Sequence, residues 1–140
     1  SAIVPYSRQN FQQENSMPIV PAFILRRLYV EGSLANTLSG WQFALRNSLG
    51  SGHAKGMVPL MLDESTEILM PDTSFESDGA KYTFDQVNDD NTFGLKMNRE
   101  IVITVEGEQL SPGSHKIYFG CIVPGIGHIG FDFSDYVANA

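Results

Sequence analysis

The sequence predicts an antiparallel all-β sandwich, immunoglobulin-like or jelly-roll-like, with an extended N-terminal arm. Three observations carry this expectation. Apolar and polar residues alternate at period two in several short runs, above all around Trp41, Phe43 and Leu45 and around Ile101, Ile103 and Val105. That alternation marks strands with one buried face. The runs are closely spaced and separated by Gly, Pro, Asn and Asp, the residues that turn a chain. No segment carries a sustained apolar stripe at helical spacing.

Residues 1–22 read as the arm and residues 23–140 as the sandwich domain. Pro5, Pro18 and Pro21 interrupt regular structure in the arm, whose middle is polar, while Tyr6 and Phe11 are apolar enough to anchor it on a partner. Residues 25–31 suggest a first strand closed by Gly32-Ser33. Residues 36–40 carry turn chemistry, and the Trp41 side of the next strand faces the core, with Leu49 in step and Arg46 in solvent. A glycine-rich loop runs from Gly50 through His53 to Gly56. Residues 57–62 form a short strand, and Pro59 inside it points to an edge or a bulge because proline cannot donate to a ladder. Residues 66–70 read as another strand, stopped by Pro71. Asp78-Gly79, between residues 73–76 and 81–84, is a hairpin turn signal. An acidic loop over residues 85–92 leads to Phe93-Gly94-Leu95. The strand of Ile101, Ile103 and Val105 turns at Gly107, and Leu110-Ser111-Pro112-Gly113 turns again. Ile117, Phe119, Cys121 and Val123 share one face of the next strand, Pro124-Gly125 breaks it, and residues 128–133 form the last.

The 140-residue chain is 42% hydrophobic and 18% charged, a globular rather than a disordered balance. Its net charge is −7, carried by residues 71–140, which hold eleven acidic and four basic groups. Such a surface repels phosphate, so neither nucleic acid nor an anionic membrane is expected as partner. Cys121 is the lone cysteine, which excludes an intramolecular disulfide and a cysteine-rich metal site. Mid-strand among apolar neighbours, it reads as a small buried hydrophobe. That usage suits the cytoplasm, and no apolar run is long enough for a membrane span.

Candidate chemistry is sparse. His53, in the glycine-rich loop, and His128, between glycines, are ligand-binding candidates. His128 with Asp132 and Asp135 offers the imidazole and carboxylates that a metal ion would need. His115, beside the Pro112-Gly113 turn, is expected to cap a backbone carbonyl. The acidic run Asp85, Asp89, Asp90 and Asn91 lacks the glycine and glutamate of a calcium loop, and Asp63, Glu64 and Glu67 resemble any acidic surface. The chain reads as lacking a nucleophile elbow, a phosphate loop and a dinucleotide fingerprint. No cofactor is expected.

Two stretches resemble known families. Val20-Pro21-Ala22-Phe23-Ile24-Leu25-Arg26-Arg27-Leu28-Tyr29-Val30-Glu31-Gly32-Ser33-Leu34, followed by Gly40-Trp41-Gln42-Phe43-Ala44-Leu45-Arg46-Asn47, resembles the opening of a small prokaryotic family. Some of its members are labelled hydroxymethylglutaryl-CoA reductase. The Gly40-to-Leu49 strand, Val105-Glu106-Gly107-Glu108 and Leu110-Ser111-Pro112-Gly113-Ser114-His115 are similar to the small β subunit of bacterial C-glycoside deglycosidases. That second resemblance implies a sandwich subunit that partners a metal-dependent barrel, with the reaction on the barrel. The sequence is therefore expected to encode a non-catalytic sandwich acting through association, as an accessory subunit of an enzyme complex or a self-assembling protein. The alternative is a carbohydrate-binding module or a sugar-acting sandwich enzyme, with exposed aromatics and the His53 and His128 loops as its contacts.

Overall fold

The computed structural model of the chain describes residues 20–138. Tyr6, Phe11 and nearly all of the arm lie outside the described residues.

Eleven strands make up the described part: β1 Ala35–Thr37, β2 Gly40–Arg46, β3 Gly52–Ala54, β4 Gly56–Leu62, β5 Thr66–Glu67, β6 Thr73–Ser77, β7 Ala80–Thr83, β8 Phe93–Leu95, β9 Glu100–Glu106, β10 Gly113–Val123 and β11 Gly127–Val137. They form an antiparallel sheet in the order β1-β2-β9-β6-β7, a second in the order β11-β10-β4-β5, and a small β3-β8 pair. The all-β sandwich expected from alternation is what forms. Trp41, Phe43 and Leu45 of β2 and Ile101, Ile103 and Val105 of β9 supply one inner face. Ile117, Phe119 and Cys121 of β10, with Phe131 and Phe133 of β11, supply the other.

Local chemistry explains the turns. Asp78 and Gly79 both take positive φ, 52° and 82°, between the paired Ser77 and Ala80. That is the two-residue turn whose twist matches a hairpin. Pro59 lies at a bulge: β4 advances from Val58 to Met61 while β10 advances only from Gly120 back to Tyr118. The proline's missing donor is absorbed by that irregularity.

Some expectations fail for tertiary reasons. Residues 25–31 are not a strand. Pro21 starts a helical turn, α1 Ala22–Leu25, and its carbonyl accepts from Ile24 N and Leu25 N. A 3₁₀ turn over Arg26–Leu28 follows, after which Tyr29 bridges to Leu45 of β2 and Val30 N donates to the Ala44 carbonyl. Pro21 is the extended N-cap, at φ −62° and ψ 146°, just before the helical positions, and Leu25 and Leu28 are one helical turn apart. Arg26 is then tied to β11, its Nε donating to the Asp132 carbonyl at 2.6 Å. Residues 66–70 yield only the two-residue β5 before a 3₁₀ turn, Met70–Asp72, takes over around Pro71. Strand β2 ends at Arg46, so Leu49 leaves the core and is 37% exposed.

Candidate functional site

A groove of about 370 Å³ opens between the β3-β8 pair, the β10-β11 hairpin and the α1 turn. Its wall is carbon: Leu25, Leu28, Leu49, Phe93, Ile126 and Ile129, with Phe119 and Cys121 also lining it. Two larger depressions flank the β6-β7 hairpin and are lined by charged groups such as Glu76, Lys81 and Glu100.

One side chain shapes the groove's rim. Asn47, buried at the end of β2, donates from Nδ2 to the Leu95 carbonyl at 2.8 Å and to the Gly50 carbonyl. Its Oδ1 accepts from Leu49 N and Gly50 N at 2.9 and 3.1 Å. The Asn side chain thus folds the 47–50 turn back against β8 and holds Leu49 over the opening. Sequence reasoning passed over Asn47. The signal was there, an Asn before a glycine-rich segment.

Cys121 belongs to the groove's lining and is buried, and burial pushes its thiol up to about 12. It remains a neutral thiol at physiological pH and is no nucleophile there. His53 stands exposed on β3 opposite Gly94 and also lines the groove.

His128, Asp132 and Asp135 all lie on β11 but do not converge. His128 Nε2 lies 3.0 Å from the Tyr118 hydroxyl on the outer face of the sheet. Asp132, on that same face, pairs with Arg26 at 3.2 Å and approaches Lys116 at 3.8 Å. Asp135 turns elsewhere, accepting from the Tyr29 hydroxyl at 2.6 Å and Gly32 N at 2.7 Å. Burial opposes charge on Asp135, but those hydrogen bonds and one from Tyr136 N outweigh it and lower its pKa. Burial first, then the hydrogen bond to Asp135, pushes the Tyr29 phenol up to about 12. Tyr29 also stacks on Phe133, with centroids 3.7 Å apart, so Asp135 serves to pin the 29–33 turn. Among the described residues, no three His, Cys, Asp or Glu side chains are grouped to hold a metal ion.

His115 does cap a carbonyl. Its Nε2 lies 2.7 Å from the Ser111 oxygen and its Nδ1 2.8 Å from Asp63 Oδ2. Only the imidazolium donates from both nitrogens. Burial opposes that charge, but the Asp63 carboxylate and the Ser111 carbonyl outweigh it and raise the pKa above 6.5. Asp63 is likewise opposed by burial, yet Lys116 N and His115 lower it below 3.8. The histidine's contribution to stability is therefore full below 6.5 and lost as pH rises through its raised value. The aspartate's is full above 3.8 and lost as pH falls through its lowered value. Wild-type protein is expected to lose melting temperature as pH rises above 6.5, in step with the His115 ring-proton titration. Asp63→Asn should flatten that slope; an equal slope in both proteins refutes the assignment.

The spacing of a dinucleotide fingerprint does occur, contrary to the sequence reading, at Gly125-Ile126-Gly127-His128-Ile129-Gly130. The structure gives it another use. Gly125 and Gly127, at φ 79° and 98°, turn the β10-β11 hairpin, and a strand follows rather than a helix. The helix N-terminus that meets a pyrophosphate is missing from this turn.

Residues 24–138 match the family described as hydroxymethylglutaryl-CoA reductase, N-terminal domain. The match accords with the first of the two resemblances and lends nothing to the second. No curated protein matches the chain. The chain belongs to the hydroxymethylglutaryl-CoA reductase N-terminal domain family.

Proposed function

We propose that this member of the hydroxymethylglutaryl-CoA reductase N-terminal domain family works by association, as a non-catalytic accessory subunit that seats a protein partner in its apolar groove. The observation that carries the proposal is the carbon-walled groove itself, with Leu49 held over its mouth by Asn47. A concave apolar surface that the described residues leave uncovered is costly in water, and covering it is a standard driving force for association. Cys121, the thiol in the groove's lining, stays protonated.

The family's description names the N-terminal part of a reductase, which fits a module working beside a catalytic unit. The similarity of the β2 and 110–115 segments to deglycosidase β subunits suggests the same division of labour, with the reaction on a barrel partner. Tyr6 and Phe11 of the arm are the further contacts in this proposal. Among the described residues no helix is long and apolar enough to cross a membrane.

The test is native mass spectrometry of untagged protein from its source, beside a Leu49→Glu variant. A carboxylate placed over an apolar groove must be desolvated when a partner closes on it. The wild-type protein should run with a larger subunit, and Leu49→Glu should weaken that complex by about tenfold or more, equivalent to about 1.4 kcal/mol. Because Leu49 is partly exposed, the fold itself should change little. A lone wild-type chain, or a variant complex of undiminished stability, rejects the proposal.

A further inference from the structure

We propose that Tyr118 and His128 form a binding site for an uncharged pyranoside on the outer face of the β10-β4 sheet. The site begins with a bare patch. Strands β10 and β11 pair Gly120 with Gly130, so the sheet has no side chains there. Tyr118 lays its ring into that gap. A Cβ on Gly130 would lie 2.6 Å from Tyr118 Cζ, and one on Gly120 would lie 3.0 Å from Cε2. The outer end of the ring thus covers both glycines, and His128 Nε2 also lies 3.0 Å from the Cβ position of Gly120.

His128 stands beside it as a wall. The two rings are 86° apart in plane with centroids 6.3 Å apart, and Nε2 is 3.0 Å from the phenol oxygen. At the opposite rim Asp132, the cross-strand partner of Tyr118, is fixed by Arg26 and Lys116. The result is a flat aromatic floor bounded by polar groups whose positions are already set.

That geometry suits a sugar ring. A pyranose with equatorial hydroxyls has a face of axial C–H bonds, whose slight positive charge is attracted to the negative face of an aromatic ring. Its hydroxyls radiate in the ring plane, towards the rim where His128, Asp132 and the Tyr118 hydroxyl stand, and such convergent polar groups fix orientation. A phosphorylated ligand is disfavoured by the chain's net charge of −7. The geometry thus suits a neutral pyranose unit with equatorial hydroxyls, such as a β-glucoside.

The experiment is an amide-shift NMR titration with methyl β-D-glucopyranoside and with cellobiose, and with sorbitol as an open-chain control bearing hydroxyls but no ring face. Saturable shifts confined to residues 116–122 and 128–132 are expected in the millimolar range, about 1–20 mM, and none with sorbitol. Tyr118→Ala should weaken binding by about tenfold or more, and Tyr118→Phe, which keeps the floor, by less than about threefold. His128→Ala, an exposed change that keeps the Tyr118 ring over both glycines, should weaken it as well and supplies the test if Tyr118→Ala fails to fold. The proposal is overturned by no shift at about 100 mM sugar, by equal shifts with sorbitol, or by full affinity after His128→Ala. In each of those cases Tyr118 only covers a glycine gap in the sheet.

Discussion

Phe119→Ala is expected to destabilise the domain by about 4 kcal/mol, within the usual span for deleting a buried phenyl ring. Phe119 is 3% exposed and packs against three other rings. Its centroid lies 5.8 Å from Phe131, 6.1 Å from Phe93 and 6.3 Å from Phe84. These rings come from β11, from β8 and from the 3₁₀ turn Phe84–Gln86, so one side chain joins three separate elements. Alanine would also deepen the groove, since Phe119 lines it. In urea the midpoint should fall by about 2 M with an unchanged slope, taking a slope of about 2 kcal/mol/M. Phe119→Leu keeps most of the volume and should cost about 1.5 kcal/mol or less. A loss under about 1 kcal/mol for the alanine variant would mean that the groove collapses to refill the space. The open apolar site proposed for the partner would then be too soft to serve as one.

The sheets were largely legible because each depends on a pattern contained within one strand. Trp41, Phe43 and Leu45 announce their face by alternation, as do Ile117, Phe119 and Cys121. Asp78-Gly79 specifies its turn because few other residues tolerate two successive positive φ values. The groove was not legible. Its walls come from α1, the 47–54 segment, β8 and the β10-β11 hairpin, and no local pattern links them. The β3-β8 pair is also invisible, because three-residue strands show no period. Residues 25–31 were ambiguous, since Leu25 and Leu28 fit a helical turn as well as a strand, and the contact from Arg26 to Asp132 lies 106 positions away. The proposed metal set could have been judged from spacing alone. His128 and Asp132 are an even number of residues apart and share a face of β11, whereas Asp135 is odd and falls on the other. Alternation along β10 puts Tyr118 on the face opposite Ile117 and Phe119, but its seat on two glycines needed the register of β10 on β11.

Gly40→Ala is the second large effect, and it acts through the backbone rather than the core. Gly40 opens β2 opposite Glu106. A methyl group there would collide with the Val105 carbonyl oxygen and lie 2.9 Å from the Val105 carbonyl carbon and 3.1 Å from Gly107 N. All three obstacles are main-chain atoms of β9 and the turn after it, so no rotamer change makes room. Either the β2-β9 ladder opens at this end or β9 shifts, and β9 carries Ile103 and Val105, which are 0% and 2% exposed. The expected cost is about 3 kcal/mol, at the upper end of what overpacking brings. For a domain of this size that lowers the melting temperature by about 10 °C. Gly94→Ala is the matched control. It too lies in a strand, but a Cβ there meets nothing within 4 Å and its φ is not positive. It should change stability by no more than about 0.5 kcal/mol. A Gly40→Ala variant as mild as Gly94→Ala would show that β9 can yield at its turn without loss, and that the close approach of β2 to Val105 does not fix how the two strands pair. A large and selective loss would place a main requirement of this sheet at a residue whose sequence context suggests only a turn.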